Sequence, residues 1–130
     1  MRLYFLIACG GGLGSVLRFF ISDAMVRHFG AAFPWGTLLI NVSGSFAIGL
    51  FATFATGPDT RWFGSAEGRL FLMSGVCGGF TTFSAFSLQT LNLLREGDWL
   101  RAGAYILASV IVCIAAAGFG HALGGGIPVR

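Results

Sequence analysis

The chain has 130 residues, 55% of them hydrophobic and only 10% charged, with a mean hydropathy of +0.82 and a net charge of +3. A soluble domain carries about 25% charged residues, so this chain cannot cover its own surface in water and a bilayer is its natural solvent. The positive charge is scattered over arginines, with no lysine and no basic run, which argues against a nucleic-acid face or a polybasic lipid-binding cluster.

A spanning helix needs about 20 predominantly apolar residues. Four stretches meet that requirement, residues 3–21, 35–56, 70–94 and 102–123. The expected fold is therefore all-α, a single four-helix transmembrane domain over residues 1–130. Arg2 ahead of a short apolar run imitates a signal peptide, but no A-x-A-like cleavage site follows and the apolar pattern runs past Gly14. The segment reads as a retained first helix. Its glycines at 10 and 14 lie on one face, a close-packing surface of GxxxG type. Arg18, its one charge, reads either as a residue snorkelling to the interface or as a fixed positive charge in an aqueous vestibule.

The second span carries no charge, but Asn41 lies inside it. Its amide suits either donation to an anion or a bond to another helix, the commoner use. The linker that follows contains Gly57-Pro58-Asp59, a turn signal.

The third span gathers glycines, hydroxyls and aromatics in Gly75-Val76-Cys77-Gly78-Gly79-Phe80-Thr81-Thr82-Phe83-Ser84-Ala85-Phe86-Ser87. Paired glycines and β-branched threonines weaken a helix, so the span is expected to be broken there. Carbonyls freed at that depth need protein, a cavity or a cation to satisfy them. The competing reading is a continuous packing helix whose hydroxyls bond back to the i−4 carbonyl. Phe83 and Phe86 share a helix face. With 14 phenylalanines in the chain most must face lipid or core, yet the positive edge of a ring can partly replace water around a small anion.

On the fourth span Tyr105, Ser109 and Cys113 recur every four residues as one stripe. It either lines a path or bonds to neighbours. The tail from Gly124 through Pro128 is expected to fray. The cysteines, Cys9, Cys77 and Cys113, fall in apolar stretches without metal-ligand spacing and read as buried small hydrophobes.

With four spans, one side of the membrane would hold Arg2, Arg61, Arg69 and Arg130, and the other Arg27, Arg95 and Arg101 with Arg18 near a helix end. This balance gives no positive-inside preference. Either the rule fails here or the chain inserts both ways and pairs as an antiparallel dual-topology homodimer.

Taken together, Gly10-Gly11-x-x-Gly14-x-x-x-Arg18, Gly36-Thr37-x-x-x-Asn41-x-x-Gly44 and Gly78-Gly79-x-Thr81-Thr82-Phe83-Ser84-x-Phe86-Ser87 resemble the CrcB/Fluc family of fluoride channels, in order and without insertions. The resemblance implies a fluoride-selective channel in a bacterial plasma (inner) membrane that exports cytoplasmic fluoride passively. It implies an inverted second copy of the chain and a structural sodium ion, not transported, on the backbone carbonyls of Gly78 and Thr81. On the same resemblance Phe83 and Phe86 present ring edges to fluoride, Asn41 looks like the amide near the path, and Arg18 like the vestibule arginine. Thr82, Ser84, Tyr105 and Ser109 look like members of a polar track. Cys113 stands where a hydroxyl is expected, and Ala85 where threonine is usual.

Two other classes compete. A small multidrug exporter of similar size needs a membrane-embedded acid, whereas Asp23, Asp59, Glu67, Glu96 and Asp98 all fall in linkers or at helix ends. A non-transporting structural subunit leaves the Gly-Thr-Phe-Ser cluster without a purpose. No Walker-type motif and no Ser/His/Asp arrangement points to an enzyme.

Overall fold

A computed structural model describes residues 1–54 and 65–125. It is all-helical, with four helical stretches long and apolar enough to cross a membrane. Helix α1 is Arg2–Phe29 and α2 is Trp35–Phe54. The third span, Ala66–Arg95, is composite. It opens with α3 (Ala66–Arg69), widens into a π-helical segment (Leu70–Cys77), continues as α4 (Gly78–Phe80) and ends as α5 (Phe83–Arg95). Helix α6 is Trp99–Leu123.

Three element ends differ from the expectation for a physical reason. Charged residues mark where hydrocarbon ends, not where a helix does. Helix α1 does not stop at residue 21 but continues to Phe29, carrying an exposed Arg27–Asp23 ion pair at 2.7 Å on its last turns, and Gly30 (φ 76°) ends it. At 28 residues it is about 42 Å long, against a hydrocarbon core of about 30 Å. Arg18 therefore lies well inside a helix and not near its end. The third span starts at Ala66 because the Ser65 hydroxyl caps it, accepting from Gly68 N–H at 3.0 Å. Helix α6 starts at Trp99, where the Asp98 carboxylate accepts from Arg101 N–H at 3.1 Å. The connection between α5 and α6 thus shrinks to Glu96-Gly97-Asp98, with Gly97 at φ 79°. The turn signal at residues 57–59, the predicted end of the second span at residue 56 and the tail beyond Gly125 lie outside the described residues.

Lipid tails are as apolar as leucine, so these helices gain little from burying grease and depend on close contact instead. Helix α1 packs mainly on the π-helical segment and α4, and α2 mainly on α6. Both seams are built on glycine. A Cβ on Gly14 would run into the backbone of Val76, Gly79 and Phe80, and one on Gly49 into the Ala117 backbone. The Gly10–Gly14 face is buried against the third span. The cysteines are not uniformly buried as their apolar surroundings suggest. Cys77 is buried, Cys113 is half-buried and Cys9 is exposed. Most of the large apolar side chains of α1 face outward, as expected of a helix in lipid.

Replacing Gly14 with Leu is expected to lower thermal stability in detergent by about 1–3 kcal/mol or more, the cost of overpacking a tight seam. Gly12→Leu, at a position where a Cβ meets nothing within 4 Å, should leave the melting curve within experimental scatter. Equal behaviour of the two variants would refute the glycine seam.

Candidate functional site

The third span loses its helical geometry at two residues. Thr81 (φ −78°, ψ 157°) and Thr82 (φ −152°, ψ 113°) are extended, between the end of α4 at Phe80 and the start of α5 at Phe83. Threonine suits both tasks here. Its β-branched side chain costs little in an extended backbone, and the Thr82 hydroxyl caps α5 by accepting from Ala85 N–H at 3.2 Å. The Thr81 hydroxyl bonds back to the Cys77 carbonyl at 2.9 Å, as does Thr81 N–H.

Extended residues inside an apolar span leave backbone groups that lipid cannot satisfy. Asn41 of α2 satisfies both groups of Thr82. Its Oδ1 accepts from Thr82 N–H at 2.8 Å and its Nδ2 donates to the Thr82 carbonyl at 3.1 Å. The side-chain amide acts as one residue of a neighbouring strand would. Of its two N–H bonds one is engaged by Thr82, leaving the second for another acceptor. The Ser15 hydroxyl of α1 donates to the Gly79 carbonyl at 3.3 Å.

The Asn41 pairing and the Thr82 cap each leave one carbonyl without its helical amide. In an unbroken helix the Gly78 carbonyl would accept from Thr82 N–H, and the Thr81 carbonyl from Ala85 N–H. Those amides are turned to Asn41 Oδ1 and to the Thr82 hydroxyl. Gly78 is exposed on the single chain, and a Cβ there would meet only the Met73 carbonyl at 3.7 Å. Two hard oxygen donors deprived of their usual amides, one of them on an open side, fit a small cation that takes carbonyl ligands.

Phe83 and Phe86 stand at the start of α5 with ring centroids 5.3 Å apart and planes tilted by 46°. Phe83 is 79% exposed and Phe86 half-buried. Beside Phe86 lies Tyr105 of α6, centroid 5.1 Å away and fully buried, with the Phe33 ring centroid 5.6 Å from it. The Tyr105 hydroxyl donates to Gln89 Oε1 at 2.9 Å, which fastens α6 to α5. The sequence reading passed over Gln89. The available signal was an uncharged polar residue three positions after Phe86 on the same face. The Thr82 and Ser84 hydroxyls lie 3.2 Å apart. One turn beyond Tyr105, Ser109 is buried and its hydroxyl has no hydrogen-bond partner.

A cavity of about 430 Å³ brings Asn41, Thr81, Thr82, Phe83, Phe86 and Ser109 together, and Gly78 also reaches it. Every residue lining it is uncharged. Ser84, Tyr105 and Arg18 are not among its walls. Tyr105 backs Phe86, Ser84 is exposed, and Arg18 lies on α1 in a half-exposed position. A second cavity of about 440 Å³ is bordered by Ser22, Thr37, Gln89, Asn92, Glu96 and Arg101. It is more polar in its walls, and Ser22 is one helical turn beyond Arg18.

Four apolar spans, the third interrupted beside an uncharged cavity, define a small multi-pass membrane protein with a built polar centre. Residues 5–121 match the family described as CrcB-like protein, Camphor Resistance (CrcB), and the chain belongs to this CrcB/Fluc family. A protein of Opitutus terrae named fluoride-specific ion channel FluC is 58% identical over 93% of this chain and 91% of its own length. Relatives of the same name from Rhodospirillum rubrum and Paramagnetospirillum magneticum are 52% and 51% identical. They are matched over 91% and 93% of this chain, and over 91% and 94% of their own lengths.

Removing the Asn41 amide with Asn41→Ala leaves both backbone groups of Thr82 unpaired and should cost about 2 kcal/mol or more of stability in detergent. Ser43→Ala, which removes only bonds to the carbonyls of Leu39 and Ile40 in the same helix, should stay within about 0.5 kcal/mol. Matching melting temperatures for the two variants would rule out the amide as the support of the extended stretch.

Proposed function

We propose that this chain is a fluoride-selective channel that exports cytoplasmic fluoride passively across a bacterial plasma (inner) membrane. The observation that carries the reading is the uncharged cavity where the Phe83 and Phe86 rings, the Asn41 amide and the Thr82 and Ser109 hydroxyls converge. Ring edges and neutral donors replace part of an anion's water without a full opposite charge. Binding of that strength permits both entry and exit, as conduction requires. The relatives' name selects fluoride among small anions. Protonated HF enters cells through lipid and dissociates in a near-neutral cytoplasm, so a passive channel suffices to release the trapped anion. Coupled export of cations is disfavoured, because among the described residues Asp23, Glu67, Glu96 and Asp98 all occupy helix ends or turns and not the middle of a span.

Arg18 raises the positive potential on the approach to the path, and Tyr105 and Ser84 support the track of hydroxyls. A second, inverted copy is part of this reading. A lone chain leaves Phe83 79% exposed and Gly78 bare, and the arginines give neither face of the membrane an excess. The carbonyls of Gly78 and Thr81 would hold a structural sodium ion. Once bound it supplies a fixed positive charge and shared ligation between two copies, and it is not transported.

Liposomes containing the purified chain are expected to release fluoride down its gradient and to retain chloride. Comparable rates for the two anions would overturn the assignment. In the same assay Phe83→Ile should lower fluoride efflux by at least about tenfold, the change that accompanies roughly 1.4 kcal/mol, while the dimer persists on gel filtration. Unchanged efflux would remove the ring edge from the path.

Topology has its own measurement. A single cysteine introduced at Gly97, in the α5–α6 turn, should react with a membrane-impermeant maleimide from both sides of sealed vesicles. Labelling from one side alone would refute dual topology.

A further inference from the structure

We propose that the cavity between α2, the third span and α6 is also a binding site for a soft monovalent metal cation, of the Cu⁺ or Ag⁺ class, held by the sulfur atoms of Cys77, Cys113 and Met73. The blocking effect argued below rests on the channel reading above, whereas the binding itself does not.

Three sulfur-bearing side chains line this one cavity. Met73 and Cys77 stand one turn apart on the π-helical segment, and Cys113 lines the same cavity from α6. Both cysteines are free thiols. A second observation marks the same cavity as incomplete. Ser109, one turn from Cys113 on α6 and only 7% exposed, lines it with a hydroxyl that has no partner. Buried hydroxyls are ordinarily bonded.

The walls also decide the class of ion. Thiolate and thioether ligands select Cu⁺ and related soft ions, while carboxylates and carbonyls suit hard ones. This cavity contains no histidine, aspartate or glutamate; its hard donors are the Gly78 and Thr81 carbonyls assigned above to sodium, and the sulfur atoms are the soft donors that remain. Charge inside a span is costly. A monovalent ion becomes neutral on one thiolate at the cost of a single proton, whereas a divalent ion would need both Cys77 and Cys113 deprotonated and two protons expelled from an apolar span. On binding, the S–H bond of one cysteine breaks and its proton passes to water as the sulfur–metal bond forms. The second cysteine and Met73 donate lone pairs unchanged, and no electron is transferred. Because Phe83, Phe86, Thr82 and Asn41 line the same cavity, an ion held there sits in the proposed anion path and closes it.

The test uses the full chain carrying Cys9→Ser, since Cys9 is an exposed thiol on α1 outside the cavity. In detergent with chloride-free buffer, titration with silver nitrate is followed by native mass spectrometry and by maleimide labelling of the remaining thiols. The expected result is a single silver ion per chain that shields both thiols together. Cys77→Ser and Cys113→Ser should each weaken binding by about tenfold or more, and Met73→Leu should weaken it measurably. Independent binding of one ion by each cysteine, or an affinity unmoved by loss of either, would overturn the shared site. The shielding measurement needs no change in the cavity and therefore survives a variant that fails to fold.

In liposomes, silver at saturating concentration should lower fluoride efflux by at least about tenfold relative to the same preparation before silver, with recovery on adding a competing thiol. Binding without loss of efflux would overturn the block. Absence of efflux before silver is added would count against the channel reading alone, and the binding measurement then decides the site.

Discussion

Everything distinctive about this chain depends on how two extended residues are tolerated inside a helical span. An unsatisfied backbone group in hydrocarbon costs several kcal/mol, so Thr81 and Thr82 persist because specific partners take the Thr81 N–H and both backbone groups of Thr82. Asn41 takes both groups of Thr82, and the two threonine hydroxyls serve the chain on either side, one bonding back to Cys77 and one capping α5. A helix starting afresh at Phe83 is not bound to the rotational phase of the helix that ended at Phe80. This freedom lets the Phe83 and Phe86 rings point into a cavity that a continuous helix would orient differently. The same pairing takes the amide that the Gly78 carbonyl would otherwise meet, and the Thr82 cap takes the one that the Thr81 carbonyl would meet. One polar side chain on α2 thus organises the donors, the acceptors and the rings together.

The interrupted span needs a stiff surrounding, and the glycine seams supply it. Where α1 crosses the third span, backbone meets backbone at Gly14 and Gly79, with the Ser15 hydroxyl bonding into the crossing through the Gly79 carbonyl. The seam between α2 and α6, at Gly49 and Gly120, holds the helix that carries Asn41 against the one that carries Tyr105 and Ser109. The Tyr105–Gln89 bond and the ring contacts of Tyr105 with Phe33 and Phe86 close the other side. Dispersion over such close contact is the main attraction left to helices in lipid. Each polar contact therefore sits on a helix that is fixed independently.

How much of this was legible follows from which physical signals are local. The four spans are a matter of apolar length, and length is visible in sequence. The end of α1 was not, because Asp23 and Arg27 signal the edge of hydrocarbon while the helix continues through them to Gly30. The caps at Ser65 and Asp98 were present in the sequence as an Ser or Asp ahead of an apolar run, and their signal was masked by the neighbouring charges. The π-helical turns of Leu70–Cys77 leave no composition mark. At the site, Gly-Thr-Phe-Ser chemistry singled out the right stretch of chain. The partner of Asn41 could not be read, since the choice between an anion and another helix is set by tertiary distance. Gln89 was missed because one amide gains meaning only from the tyrosine opposite it. Cys113 read as a hydrophobe because its neighbours in sequence are apolar; its place on one stripe with Ser109 was visible, but the lack of a partner for the Ser109 hydroxyl was not.

An anion path without a charged wall poses an electrostatic problem that the arrangement itself suggests how to solve. A fixed arginine within the cavity would bind an anion too tightly to release it, and a fully apolar wall would never admit one. The cavity offers dipoles instead, from an amide N–H, hydroxyls and ring edges, each too weak to trap an ion alone. On the proposed reading, positive potential comes from two sources that are not charged side chains of those walls. Arg18 stands on α1, and a cation would sit on carbonyls at the open side of the chain near Gly78. A charge held behind the wall lowers the barrier along the whole path without creating a deep well at any point in it. That separation also explains why a neutral wall can include sulfur at Cys77 and Cys113 in place of further hydroxyls. The wall needs to be polarisable and uncharged, and a thiol meets both conditions until a soft metal converts it to a ligand.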